Sequence, residues 1–176
     1  SGPGMSVLGD GGNVSGTPLY LKPSNRIVWT PSANNNGTIA AFKVRASDGI
    51  TDSGTDITVN IVTAAVNDPP TLSTVKVLTG AYQGAAYTIP YATLLAASNA
   101  ADVDSATINF RIEAVSQGTL TKSAVAITPS VTTLESGESL VWTPPGTIQG
   151  NQNAFTIKAY DGSAVSVNTV QVQVNV

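Results

Sequence analysis

Two parts of this 176-residue chain are copies of each other, 113 residues apart. Val28-Trp29-Thr30-Pro31 returns as Val141-Trp142-Thr143-Pro144, and Phe42 to Gly49 returns as Phe155 to Gly162. The match runs without a gap from Val28–Val62 to Val141–Asn175 and keeps 12 of 35 residues identical. A tandem repeat constrains the fold strongly, because both copies must reach the same local structure from different sequences. The expectation is a spacer or a presenter of surface rather than a catalyst.

The repeated segments alternate. Thr169 to Val176 puts Val170, Val172, Val174 and Val176 on one face and polar residues on the other. That is the pattern of a strand with one face on a core and one in water. Asp56 to Ile61 is its counterpart. Ala154 to Tyr160 and Ala41 to Ser47 alternate likewise and run into Asp161-Gly162 and Asp48-Gly49, a turn signal between strands. Leu140 to Thr143 and Ile27 to Thr30 read as short strands stopped by proline. Further strands are expected at Thr74 to Leu78, Ala86 to Ile89, Thr107 to Val115, Leu120 and Val125 to Ile127. Tyr91 to Ala97 fits a helical turn or a strand end. About seven strands over Thr71 to Val176 match an all-β sandwich.

Ala65-Val66-Asn67-Asp68-Pro69-Pro70 lies between the copies, and its prolines stiffen it toward an extended geometry. The reading is therefore a first repeat over 1–66, a prolyl linker over 67–70 and a complete repeat over 71–176. The first repeat is incomplete: Ser1 aligns with Ala114, so about 43 residues, Thr71 to Glu113, have no counterpart. They would form the first three strands of a sandwich. Cover for the open half is expected from Val7-Leu8 and Leu19-Tyr20-Leu21, or from strand pairing with another chain, which exposed edges invite. Ser1-Gly2-Pro3-Gly4-Met5 has no signal-peptide pattern and reads as a cloning remnant or an internal cut.

Composition removes several function classes. A net charge of −3 with eight scattered basic residues offers no footprint for nucleic acid or for an anionic membrane surface. No apolar run reaches the roughly 18 residues of a membrane span. There is no cysteine and no histidine, so thiolate chemistry and the commonest general base are absent. Glu135 and Glu138, in a Gly/Ser loop, look solvated, and no serine sits on a nucleophile elbow. Gly9-Asp10-Gly11-Gly12-Asn13 lacks the lysine and the strand–helix setting of a phosphate loop and reads as a flexible turn.

Several motifs stand in order over Asn67 to Val176: Asn67-Asp68-Pro69-Pro70, Leu94-Leu95-Ala96, Ala101-Asp102-Val103-Asp104, Gly118-Thr119-Leu120, Val141-Trp142-Thr143-Pro144, and Phe155 to Gly162. Together they resemble the bacterial cadherin-like repeats of large secreted adhesins. The first copy is similar from about Gly16 to Val62. The resemblance implies two tandem immunoglobulin/cadherin-like Greek-key sandwiches, the first incomplete, in an extracellular or cell-surface location. It implies neighbouring repeats as partners, with a surface receptor or a polysaccharide as the adhesive target. It names no ligand. The chain also departs from the pattern, since the Glu residues that cadherins place at the lower end of a calcium site have no counterpart and the first copy contains no Glu.

The acidic residues are the sharpest candidate site. Asp102 and Asp104 are two apart, so an extended loop can turn both carboxylates toward one ion, and calcium prefers such hard oxygen ligands. In a seven-stranded sandwich the last hairpin turn, with Asp161, lies at the same end as the loop after the second strand. The linker residues Asn67 and Asp68 enter there too. The cadherin arrangement implied by the resemblance shares calcium among such residues. The other reading is turn chemistry, with carboxylates bonding nearby backbone N–H groups. Asp48, whose partner Asp pair falls in the missing segment, is expected to bind no ion.

Trp29 and Trp142 occupy equivalent strand positions. An exposed aromatic row would stack on sugar rings and make the chain a carbohydrate-binding accessory module. Equivalent placement in two copies points instead to a shared core, as it does for Phe42 and Phe155.

Overall fold

The computed structural model describes residues 4–9, 12–14 and 19–176, and its backbone is mostly β-strand in antiparallel sheets. Asp10 and Gly11 of the glycine-rich turn lie outside the described residues. The chain divides into two units, Ser1–Val66 and Asn67–Val176. The strands are β1 Gly4–Gly9, β2 Gly12–Val14, β3 Arg26–Thr30, β4 Gly37–Val44 and β5 Ile57–Thr63 in the first unit. In the second, β6 Tyr87–Pro90 leads into a short helix, α1 Tyr91–Ala97. Strands β7 Asn109–Val115, β8 Thr119–Lys122, β9 Val125–Ala126, β10 Thr133–Leu134, β11 Ser139–Thr143, β12 Asn151–Tyr160 and β13 Val170–Asn175 follow.

In the second unit one sheet runs β10-β7-β12-β13 and the other β6-β11-β8-β9. Alternation makes each sheet one-sided. Phe110 and Ile112 of β7, Phe155 and Ile157 of β12, and Val172 and Val174 of β13 bury one face of the first sheet. Ile89, Leu120, Leu140 and Trp142 bury one face of the second, and all ten belong to a single hydrophobic cluster. At roughly 1.5–3 kcal/mol for each large apolar side chain fully buried, this cluster dominates the unit's stability.

One local feature differs from the sequence reading, one open alternative closes, and one strand is new. Thr74 to Leu78 is not a ladder strand; it touches its neighbours through isolated bridges, Val75 to Ser98 and Leu78 to Val174. The second of these is parallel, with Leu78 N–H donating to the Gln173 carbonyl at 2.9 Å and Asn175 N–H to the Leu78 carbonyl at 2.8 Å. Tyr91 to Ala97 is helical and stops at Ser98, whose N–H bonds the Leu94 and Leu95 carbonyls, each at 3.1 Å. The two-residue strand β10 was too short to show a period.

The β4–β5 ladder of the first unit repeats the β12–β13 ladder of the second pair for pair. Phe42 pairs with Val59 as Phe155 pairs with Val172, and both ladders carry an irregularity at the same place, between Ala40 and Phe42 and between Asn153 and Phe155. Strand β1 lies against β3 as β8 lies against β11, but Met5 stands opposite Trp29 where Leu120 stands opposite Trp142. That pairing is two residues out of step with the 113-residue offset, and an even slip keeps each side chain on its own face. No strand of the described residues stands beside β4 where β7 stands beside β12, or beside β3 where β6 stands beside β11. Of residues 4–6 and 19–66 none is buried, and the side chains of Val7 and Leu8, also expected as cover, lie outside the described residues. Tyr20 and Leu21, expected as cover, are about half exposed.

Candidate functional site

Asn67, Asp68, Asp102, Asp104 and Asp161 meet at one end of the second unit. The antiparallel ladder between β12 and β13 carries Asp161 to the tip, where its Oδ1 accepts the N–H groups of Ser163 and Ala164, both at 2.6 Å. Its Oδ2 accepts the Asn67 amide at 2.8 Å, which ties the linker to the last turn across 94 residues of sequence. The Asp102 Oδ1 accepts the N–H groups of Asp104 at 3.0 Å and Ser105 at 2.9 Å. The Asp104 Oδ2 accepts the Asp68 N–H at 3.0 Å. Asp102 and Asp161 therefore do turn chemistry, as Asp residues in tight loops do, while Asp104 reaches across to the linker.

One buried oxygen has no such use. The Asp102 Oδ2 is buried and has no hydrogen-bond partner among the described residues. Burial alone pushes the Asp102 pKa up, but the N–H bonds from Asp104 and Ser105 outweigh it, and the carboxyl lies below its usual range despite the neighbouring Asp161 charge. Burial likewise opposes ionisation of Asp161, and the bonds from Ala164, Asn67 and Ser163 hold its pKa down. Both groups are thus anions at neutral pH, close enough for each to feel the other. A buried carboxylate oxygen with no partner carries a desolvation penalty, and a cation or a donor relieves it.

The donor set is all oxygen, the kind a hard cation takes. Among the described residues, no three carboxylates gather closely enough to hold a metal ion by themselves. A shell at this pole therefore also needs backbone carbonyls, the Asn67 amide oxygen and water. In the first unit, Asp48 Oδ1 accepts the N–H groups of Ile50 and Thr51, both at 2.8 Å, which repeats the Asp161 turn without its partners.

The tryptophans differ from each other. Trp142 is fully buried, and its indole N–H donates to the Gln117 carbonyl at 2.8 Å, so it offers no face to a sugar ring. Trp29 is only partly buried. Glu138 is not a freely solvated acid: Lys122 sits 2.6 Å from its Oε2, which also accepts the Glu135 N–H at 2.8 Å. An open groove of about 300 Å³ is lined by Pro69, Pro70, Thr71, Leu72, Ser73, Asn99, Val167 and Asn168, which bring no ionisable side chain to it.

Sequence reasoning passed over Ser166. It is the one buried polar residue among those described; its hydroxyl accepts the Ala159 N–H and donates to the Asn168 carbonyl, both at 3.1 Å. Ser53 accepts the Ala46 N–H in the same way at 3.2 Å. The signal was present, since Ser53 and Ser166 are among the 12 identities of the repeat. No helix of the described residues is long and apolar enough to cross a membrane. No protein-family model matches the chain, and no curated protein is significantly similar to it.

Proposed function

We propose that the chain is a non-catalytic structural or adhesive module of a bacterial surface or secreted repeat protein, stiffened by calcium at the Asn67–Asp161 pole. In this reading the units are tandem cadherin-like, immunoglobulin-like Greek-key sandwiches. Their partners are neighbouring repeats and an extracellular target, a receptor or a polysaccharide. The observation that carries the ion is the Asp102 Oδ2, buried without a partner within reach of the Asp161 charge. Asp102 and Asp161 would hold calcium, with Asp104, Asp68 and Asn67 completing its shell. The ion would neutralise two adjacent anions and bind the linker to both loops. The identical register of the β4–β5 and β12–β13 ladders supports the repeat.

Melting of the full chain against calcium tests this reading. Extracellular calcium modules bind at about 0.1–1 mM, so 10 mM calcium is expected to raise the melting temperature of the second unit by about 5–15 °C. Asp102→Asn is expected to abolish the rise, and magnesium at the same concentration to give less of it. A melting curve unmoved by 10 mM calcium overturns the calcium part of the reading.

A further inference from the structure

The second unit displays what the first one lacks. Strand β12 is flanked by β13 on one side and β7 on the other, whereas β4, its equivalent, has only β5 beside it among the described residues. Strand β11 is flanked by β8 and β6, whereas β3 has only β1 beside it among the described residues. The consequence is visible position by position. Phe155, Ile157 and Val174 are wholly buried. Their equivalents Phe42 and Ile61 are partly exposed, and Val44 is 38 % exposed. Leu120 is 3 % exposed, and Met5, which takes its place opposite the tryptophan, is 48 % exposed. A strand edge with free backbone groups and an apolar inner face is a template for another strand.

We infer that the first unit is an acceptor for strand complementation, and that its occupant is a polypeptide segment of the Thr71–Val115 type. Such a segment brings a strand like β6 to the edge of β3 and a strand like β7 to the edge of β4. The chemistry of the occupant follows from the second unit. Phe110 and Ile112 point into the core from β7 and Ile89 from β6, with charged Arg111 and Glu113 alternating outward. The register follows as well. Phe155 pairs with Val115 and Ile157 with Ile112, so the incoming strand sets its Val115 equivalent against Phe42 and its Ile112 equivalent against Val44. The inference stands on the comparison of the two units and holds with or without calcium at the other pole.

The test adds a second copy of Thr71–Val115 ahead of Ser1 in the full chain and reads backbone hydrogen exchange over β4. Trp29 emission is read in a Trp142→Phe background. Amides of Gly37–Val44 that do not bond β5 are expected to gain ~100-fold protection, and Trp29 emission to move to shorter wavelength, as native pairing at a formerly open edge requires. Unchanged exchange and emission in a folded chain overturn the inference. So does equal protection from a scrambled segment of the same composition. If the extended chain does not fold, the peptide Ala106–Gln117 is added to the unmodified chain at up to millimolar concentration. Saturable protection of β4 supports the inference, and none overturns it. Light scattering on the unmodified chain is expected to give the mass of one chain. The mass of two, with β4 already protected while Asn109–Val115 keeps its own protection against β12, assigns the edge to another strand of a second copy and overturns it.

Discussion

Gly118 holds the tightest position among the described glycines. Its φ is +71°, and a Cβ there would lie 2.2 Å from the Thr143 carbonyl oxygen and 3.1 Å from the Trp142 indole nitrogen. Only glycine lets the backbone pass so close to the end of β11. Gly118→Ala is expected to destabilise the second unit by about 2–4 kcal/mol, measured by urea unfolding, since it adds overpacking to left-handed strain. The acids act through charge. Asp102 and Asp161 have folded pKa values below the ordinary 3.8, so each stabilises the fold when ionised. That contribution is complete above the unfolded value and is lost as pH falls through the folded one. Unfolding free energy of the second unit is therefore expected to drop below about pH 4, and Asp161→Asn is expected to shallow the drop. The sequence made the gathering of these acids legible, because paired Asp, last turn and linker are all local signals. It could not show the unpartnered Asp102 Oδ2, which depends on how the loop closes over a single atom.

Among the strands, those with long alternation were readable and those without it were not. The repeat register was readable to the residue, because identical Phe, Asp-Gly and Ser positions anchor both ladders. Strand β10 has two residues, and Thr74 to Leu78 lies beside β13 through a bridge that no period announces. Tyr91 to Ala97 was ambiguous for a physical reason: seven residues are too few for helical propensity to decide, and the helix stands on packing. Leu94 is its one buried residue, and the Tyr91 hydroxyl bonds the Ile108 carbonyl. The difference in cover between equivalent strands has a measurable consequence. Phe155→Ala is expected to cost about 3–5 kcal/mol in the second unit, while Phe42→Ala, at a partly exposed position, is expected to cost under about 2 kcal/mol in the first. Equal losses would mean that Phe42 is as well packed as its counterpart.

For the whole chain, the alignment leaves Thr71 to Glu113 without a counterpart in the first copy, but the physical form of that stretch was not legible in it. The expectation there was three strands. The second unit shows that the uncounterparted stretch holds two ladder strands, a helix and a bridged segment. The parallel bridge between Leu78 and Val174 bears on what a module of this kind experiences in tension. The chain enters the second unit at Asn67 and leaves it at Val176, and the two segments run side by side in the same direction where they touch. Pulling the two ends apart therefore slides Leu78 along Gln173 and Asn175 instead of peeling it away. Both hydrogen bonds there are loaded at once, so that pair of short contacts is a shear clamp between the two segments.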